Sequence, residues 1–377
     1  MADPDIRGLC PPRFAAVREA FAANFAEGRE LGARFCLAVG GEIVVDLIGG
    51  FSDRHQTKPF AEDTLTPVFS TTKALAALMV ARVVDEGRLD YDQPVADVWP
   101  EFAQAGKGAV TVAQALSHQA GLVGFADEMA PADWLDWSAI CARLAAMTPL
   151  WPPGTASGYH PVTYGFLAGE IFRRADGRRL GQAFREDIAA PLGLDLWIGL
   201  PDDEFPRVAE VRRPPAMPDL GPLSEPKRLA FLTRWAQPGG GEPGQLRRAD
   251  IPSVTGYGTA EALARVMAIV ALDGEAFGRR WLRRSTVQDL TRERIAGQDL
   301  VLPYDLSWAA GLLRNERLKI YGPGRETVGH SGWGGSCAFA DPERGVSGAY
   351  VMNRQSPDLI GDTRARRLID AAYEGLG

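Results

Sequence analysis

Ser70 and Lys73 are the residues whose types and spacing most directly suggest chemistry. They stand three positions apart in Phe69-Ser70-Thr71-Thr72-Lys73, at the start of a run rich in Ala, Leu, Met and Val. Residues three apart on a helix share one face, so the hydroxyl and the amine can meet. A serine hydroxyl becomes a nucleophile when a base takes its proton, and burial at a helix N-terminus lowers the pKa of a lysine. Ser70 is therefore the candidate nucleophile and Lys73 its candidate base.

The simpler interpretation of this pair is a helix-capping serine followed by an ordinary surface lysine. It fits poorly, because no other charged residue falls between Asp63 and Arg82 and a cation is unfavourable at a helix N-terminus. The SxxK spacing alone is weak evidence, since Ser224 and Lys227 repeat it. That copy lies among prolines, where we expect no helix to align the two groups.

Tyr159 is the candidate second proton carrier. It follows the turn Trp151-Pro-Pro-Gly154 and precedes a helical stretch, a place from which a side chain can point into a cleft. A phenol beside a Ser-Lys pair can move protons, and nearby cations would make its phenolate accessible. We interpret the neighbouring His160 as a loop histidine bonded to the backbone. A Ser-His-Asp hydrolase is the competing mechanism, but its usual GxSxG turn does not occur in the chain.

A third candidate element is the glycine-rich stretch from Gly329 to Gly335, which leads into a strand predicted at 336–340. So many glycines indicate that a ligand or another chain segment approaches the backbone closely. An exposed strand amide here can form one half of an oxyanion hole, with the amide of Ser70 as the other half. The alternative is a glycine-rich turn into an edge strand.

The elements that must position these residues are strands at both ends of the chain and helices between them. Two apolar, β-branched runs at 34–39 and 42–48 flank Gly40-Gly41, which predicts a hairpin. Further strands are predicted near 309–313, 336–340 and 347–352. Helical patterns occur at 13–26, 71–86, 112–116, 134–147, 165–174, 180–188, 261–272 and 364–373.

This order of patterns predicts an α/β (α+β) fold with one antiparallel sheet built from both termini and flanked by helices. An inserted, mostly helical lobe completes it. We expect residues 1–68 and 255–377 to form the α/β domain and residues 69–254 the helical domain, with the site in the cleft between them. A chain of 377 residues, 46% of them hydrophobic, is long enough for two such lobes.

The three stretches, in this order, resemble the motifs of the class C β-lactamase-like serine hydrolases of the penicillin-recognising superfamily. Ser70 to Lys73 matches SxxK, and Tyr159 matches the tyrosine of YxN. The segment from His330 to Gly332 stands at the place of KTG or HTG. Within that group, Trp333-Gly334-Gly335 is most similar to the third motif of family VIII carboxylesterases, so the fold expected is that of β-lactamases and DD-peptidases.

The resemblance implies roles for these residues. Ser70 would be the acylated nucleophile, Lys73 and Tyr159 the base system, and the amides of Ser70 and Trp333 the oxyanion donors. The third, substrate-binding motif would comprise His330, Ser331, Gly332 and Gly334.

Two departures from the family pattern bear on the substrate. Pro161 stands where YxN has its Asn, and it has no side-chain amide to hold a lactam or peptide. His330 replaces the usual Lys of KTG, and a neutral histidine holds a carboxylate less firmly. Ester hydrolysis needs only nucleophile, base and oxyanion hole, so it is unaffected by either change.

The resemblance therefore implies a serine carboxylesterase acting on small or short-chain esters. The alternatives within the enzymes are an amidase or D-amino-acid peptidase, a weak β-lactamase and an acyltransferase. A catalytically inactive binding protein on the same fold is the alternative from another class.

The composition and charge of the chain exclude several classes of binding partner. The net charge of −7 argues against nucleic acid or anionic lipid, and no run of 18 apolar residues predicts a membrane span. The acidic, helix-breaking start lacks the pattern of a secretory signal, so we expect a cytoplasmic protein. The four cysteines form no CxxC pair and the four histidines no HExxH, so we expect no metal or cofactor. The expected partner is a small-molecule ester; the oligomeric state stays open.

Overall fold

A nine-stranded antiparallel sheet is the main element of the computed structural model, which describes residues 4–377. The strands of that part of the chain are β1 Arg7–Leu9, β2 Gly32–Val39, β3 Glu42–Gly50, β4 Thr66–Pro67, β5 Leu196–Ile198, β6 Gly256–Gly258, β7 Glu275–Ala276, β8 Arg279–Arg280, β9 Ile295–Gln298, β10 Asp305–Trp308, β11 Leu313–Arg314, β12 Val328–Ser331, β13 Cys337–Asp341 and β14 Val346–Met352. The large sheet has the order β1-β3-β2-β14-β13-β12-β11-β10-β9. Strands from both ends of the chain share this sheet because β2 pairs with β14, which confirms the predicted fold class.

The β2–β3 hairpin shows why the N-terminal strands form. Its two turn residues, Gly40 and Gly41, have φ values of +59° and +84°. Two-residue hairpin turns need positive φ at both positions, which glycine adopts without a steric penalty. The predicted hairpin is confirmed, with both strands somewhat longer than predicted.

The two faces of the large sheet are buried by different helices. Along β2, Phe35 and Leu37 belong to one hydrophobic cluster and Cys36, between them, to another, as the alternation of a strand requires. Helix α9 packs on the Cys36 face, and helices α1 and α11 pack together on the opposite face. The helices of residues 4–377 are α1 Ala15–Ala26, α2 Thr72–Asp85, α3 Val112–Leu116, α4 Trp137–Ala146, α5 Thr163–Asp176, α6 Leu180–Phe184, α7 Glu225–Lys227, α8 Gln245–Arg248, α9 Ala260–Ala271, α10 Arg284–Thr291 and α11 Thr363–Leu376.

Helix α2 is buried along nearly its whole length, as its apolar sequence predicts. It packs against α5, α6 and α10 and against the end of β12. Beside its N-terminus, β4, β5 and β6 form a small three-stranded sheet that joins three distant parts of the chain. The first turn of α2 is therefore held on several sides.

Three sequence predictions differ from the structure. The strand predicted near 309–313 is a turn between β10 and β11, because Gly311 has a φ of +89° and Ala309 N–H donates to the Leu312 carbonyl. The helix predicted at 134–147 begins only at 137, because the Asp136 carboxylate accepts the Ala139 amide and caps it there. A single helical turn, α7, does form at 225–227, since Pro226 occupies the first turn, where proline is tolerated.

Within residues 4–377, no helix combines the length and apolar character that crossing a bilayer requires. The four cysteines, which are Cys10, Cys36, Cys141 and Cys337, are all free thiols.

Candidate active site

Ser70 lies in a short 3₁₀ turn, Phe69–Thr71, immediately before α2. Phe69 has a φ of +48°, a left-handed conformation that is unfavourable for a bulky residue and clusters at functional sites. Thr72 supports this turn: its hydroxyl donates to the Phe69 carbonyl and accepts the Gly256 amide at 3.0 Å. The strained turn brings the Ser70 side chain to the wall of a cleft.

Lys73 is fully buried, and its amine lies 2.9 Å from Ser70 Oγ, as the helical spacing predicts. The same nitrogen lies 2.8 Å from the Pro161 carbonyl and 3.3 Å from the Ser253 carbonyl. Burial lowers the pKa of Lys73 well below its ordinary value, which favours the neutral amine. A neutral amine has two N–H donors and one lone pair. The two carbonyls take both donors, which leaves the lone pair for the Ser70 hydroxyl.

Tyr159 is buried beside this pair, close enough to Ser70 for the serine side chain to act against the rise in the pKa of its phenol. The Lys73 amine lies 4.8 Å from the centroid of its ring, which stacks on Trp308 at 6.0 Å. Burial is the larger effect and raises the pKa of Tyr159 above its ordinary value. The phenol is therefore protonated at neutral pH, rather than the accessible phenolate expected beside cations.

Asp299 positions Tyr159 and was missed in the sequence. One carboxylate oxygen accepts the amides of Tyr159, Val301 and Leu302, each at 2.9 Å. The other accepts the Ser157 hydroxyl at 2.9 Å and the Trp308 indole N–H at 3.3 Å. Asp299 is buried, so these bonds form away from water. The signal in the sequence was a lone carboxylate directly before an apolar run. A carboxylate that is buried with such a run requires hydrogen-bond partners.

His160 takes no part in this arrangement. Its Nδ1 lies 2.6 Å from the Gly158 carbonyl, and its Nε2 accepts the Leu122 amide at 2.9 Å. Burial lowers the pKa of His160 to about 3, so the ring is neutral. The interpretation of His160 as a histidine bonded to the backbone is confirmed.

The glycine-rich stretch forms the end of β12 and a tight turn at 332–336, rather than only a turn into a strand. A Cβ on Gly332 would lie 2.2 Å from both the Val68 carbonyl and Ser336 Oγ. Ser336 Oγ also donates to the Val68 carbonyl at 2.9 Å and lies 3.1 Å from Thr71 Oγ1. The glycines thus permit the close approach of another segment, and that segment is the one that carries Ser70.

Two backbone amides remain available near Ser70. The Ser70 amide lies in the first turn of its helix, where N–H groups have no helical acceptor. The Trp333 amide, in the turn, donates to no protein acceptor in the described chain. The next carbonyl, Gly334, accepts Arg364 Nη2 and the Ser356 amide, both at 2.9 Å. These bonds fix the orientation of the turn.

His330 lies behind Tyr159, with the two ring centroids 6.0 Å apart. Its Nδ1 lies 2.8 Å from the Ser331 carbonyl. Burial lowers the pKa of His330 to about 3, so the third motif has no positive charge at neutral pH.

The cleft beside Ser70 has a volume of about 1100 Å³. Among the predicted site residues, those that line it are Ser70, Tyr159, Ser331 and Trp333. Lys73 lies behind Ser70, while Gly332 and Gly334 shape the turn at its edge. The structure therefore brings the three predicted stretches together around one cleft.

The comparison with known families agrees with this geometry. The family model described as Beta-lactamase matches residues 17–373. This chain belongs to the beta-lactamase family.

Three relatives place the chain within the beta-lactamase family. It is 36% identical over 372 residues to the esterase/beta-lactamase LipL of Mycobacterium tuberculosis, covering 94% of this chain and 84% of LipL. A solved penicillin-binding protein homologue from Caulobacter crescentus is 63% identical, with a TM-score of 0.97 over 98% of this chain and 100% of that one. A solved family VIII carboxylesterase is 43% identical, with a TM-score of 0.91 over 98% and 100% of the two chains. The protein is thus a serine hydrolase of the family, of the esterase-like kind.

Proposed function

We propose that this protein is a serine carboxylesterase that hydrolyses small carboxylic esters through an acyl-enzyme on Ser70. The observation that carries the proposal is the contact at 2.9 Å between Ser70 Oγ and the buried Lys73 amine, whose pKa burial lowers. A hydroxyl bonded to the lone pair of a neutral amine is activated for attack on a carbonyl. The likeness to LipL and to a family VIII carboxylesterase supports ester substrates.

The pKa shifts of Lys73 and Tyr159 assign their roles. Burial lowers the pKa of Lys73 and raises that of Tyr159, which favours a free base at Lys73 and a protonated acid at Tyr159. Lys73 takes the proton of Ser70 as the serine attacks the ester carbonyl. Tyr159 gives its proton to the departing alkoxide, and Lys73 restores it. Water then hydrolyses the acyl-enzyme by the reverse sequence of proton transfers.

The oxyanion of the tetrahedral intermediate is bound by the amides of Ser70 and Trp333. The Trp333 amide has no protein acceptor in residues 4–377, and the close contact of Gly332 with the Val68 carbonyl holds the Trp333 turn beside the segment that carries Ser70. Donors that are already oriented stabilise developing charge without reorganisation.

Pro161 supports the choice of ester over lactam or peptide. At this position the chain offers a backbone carbonyl to Lys73 at 2.8 Å, and no side-chain amide reaches the substrate. The base is thus positioned while a contact suited to an amide substrate is absent.

The experiment that tests the proposal is trapping with an alkyl p-nitrophenyl phosphonate, followed by mass spectrometry of the intact protein and its peptides. We expect one adduct, on Ser70, and loss of p-nitrophenyl butyrate hydrolysis in proportion to labelling. Ser70→Ala should take up no label, while the matched control Ser224→Ala, at the second SxxK, should label and hydrolyse normally. Absence of an adduct on the wild-type protein would indicate an inactive binding protein, and faster turnover of nitrocefin than of the ester would indicate a β-lactamase.

A further inference from the structure

Arginines at one edge of the cleft have no part in the proposed acyl transfer. Arg54 and Arg213 line the same cleft as Ser70. Within residues 4–377, neither forms an ion pair with a carboxylate, although most arginines of the protein do. An unpaired guanidinium beside an active site is free to bind an anionic ligand.

A third arginine, Arg247, lines the same cleft and forms no ion pair with a carboxylate in residues 4–377 either. Its guanidinium lies 5.2 Å from the centroid of the Phe205 ring. Arg54 Nη2 donates to the Val211 carbonyl at 2.7 Å, which holds it beside the 211–213 segment. We call these three residues the arginine cluster: Arg54, Arg213 and Arg247.

The cluster carries more positive charge than the acidic lining of the cleft can balance. Glu210 is the acid among the residues that line the cleft, and it accepts the Arg54 amide at 3.0 Å. One carboxylate cannot neutralise three guanidiniums. In a protein with a net charge of −7, uncompensated positive charge of this kind is typical of a functional site.

Two other basic side chains near Ser70, those of Lys73 and His330, are buried. Burial lowers the pKa of Lys73 well below its usual value and that of His330 to about 3, which disfavours a positive charge on either. The cluster shares the cleft with the oxyanion turn, since Trp333 and Gln355 also line it and the side-chain amide of Gln355 donates to the Trp333 carbonyl at 3.3 Å. An anionic ligand in this cleft would therefore be attracted to the arginine cluster.

We infer that the ester substrate carries a terminal oxyanion group, a carboxylate or a phosphate, that the arginine cluster binds while the ester carbonyl lies at Ser70. Guanidinium groups bind such anions through paired N–H donors. The cleft volume of about 1100 Å³ exceeds what a short acyl group fills, which leaves room for the linker between the two ends. The inference rests on the proposed function, because it identifies the chemical group at the far end of the ester that reacts at Ser70.

The test compares two p-nitrophenyl esters of equal chain length, the pentanoate and the mono-ester of glutarate. They differ only in a terminal methyl or carboxylate. We expect wild-type kcat/KM to favour the glutarate by about 10-fold or more at low salt, and the preference to shrink as salt screens it. In the double variant Arg54→Ala/Arg213→Ala the preference should fall about 10-fold, through KM. The pentanoate is the internal reference for folding in each variant.

The matched control is Arg279→Ala, which removes one positive charge where the guanidinium covers Trp281 at 4.4 Å, outside the cleft. It should leave the preference unchanged. A third ester with a terminal phosphonate assigns the anion: higher kcat/KM than the glutarate indicates phosphate, and lower indicates carboxylate. Equal preferences in the wild type and the double variant would overturn the inference alone. Failure of the wild type to hydrolyse any ester, together with no phosphonate adduct on Ser70, would overturn the proposed function as well.

Discussion

The Asp299 carboxylate accepts the Tyr159 amide at 2.9 Å, across 140 positions of the chain. Asp299→Asn keeps the size of the side chain but removes its charge and turns an N–H group towards one of its donors. Because the negative charge of Asp299 adds to the effect of burial in raising the pKa of Tyr159, its loss should lower that pKa. We expect kcat to fall by at least about 10-fold and the alkaline limb of the kcat–pH profile to move to lower pH.

The control for this variant is Asp305→Asn, at a half-exposed carboxylate in β10 whose ion-pair partner is also half-exposed. It should leave both kcat and the profile unchanged. An alkaline limb that stays in place in Asp299→Asn would show that Asp299 supports the fold without positioning the phenol.

The charge state of Lys73 predicts an acid limb in the activity. Its pKa lies well below the usual value because the amine is buried, so the active, neutral form persists to lower pH than in an exposed lysine and is lost as the pH falls through that pKa. Lys73→Arg retains N–H donors for the two carbonyls but stays protonated at all working pH values. We expect kcat/KM to fall at least about 10²-fold at every pH.

Lys227→Arg provides the comparison for Lys73→Arg. Lys227 is also buried and donates to backbone carbonyls, those of Leu220 and Pro222. We expect only a small effect on kcat/KM there. Similar losses in the two variants would mean that burying an arginine, and not loss of a base, explains the result.

Tyr159→Phe separates the acid role of the phenol from packing. An ethoxide leaving group needs a proton, whereas p-nitrophenolate leaves without one. We therefore expect kcat/KM for ethyl butyrate to fall at least about 10²-fold and that for p-nitrophenyl butyrate to fall clearly less. Steady-state kinetics on both esters measures this, and equal losses would assign Tyr159 to another step.

Gly332→Ala tests the position of the oxyanion turn. The added methyl group would lie 2.2 Å from the Val68 carbonyl and from Ser336 Oγ, so the turn must move away from Ser70. Removing one oxyanion donor typically costs about 10²–10³-fold in kcat, and we expect a loss of that order. Gly108→Ala is the matched control, because its Cβ would meet nothing closer than 3.8 Å. A Gly332→Ala enzyme with normal kcat would remove the Trp333 amide from the mechanism.

Sequence patterns predicted the secondary-structure elements whose stability depends on neighbouring residues. The hairpin at Gly40-Gly41 and the buried helix after Ser70 follow from residues close together in sequence. The strand predicted near 309–313 was wrong for a reason that lies elsewhere in the fold: a Cβ on Gly311 would lie 2.2 Å from the Tyr164 hydroxyl. The close approach that favours glycine there is made by a helix far away in the chain.

The sequence by itself determined that a serine and a lysine share one helical face, because three-residue spacing on a helix brings side chains together whatever surrounds them. It also determined, through motifs, which tyrosine and which glycines accompany them. Only the tertiary structure decided that burial lowers the pKa of the amine and that Asp299 holds Tyr159. It alone brought three arginines from distant parts of the chain to one cleft. Burial, charge and hydrogen bonding between distant segments produce these properties, and no window of the sequence contains the groups involved.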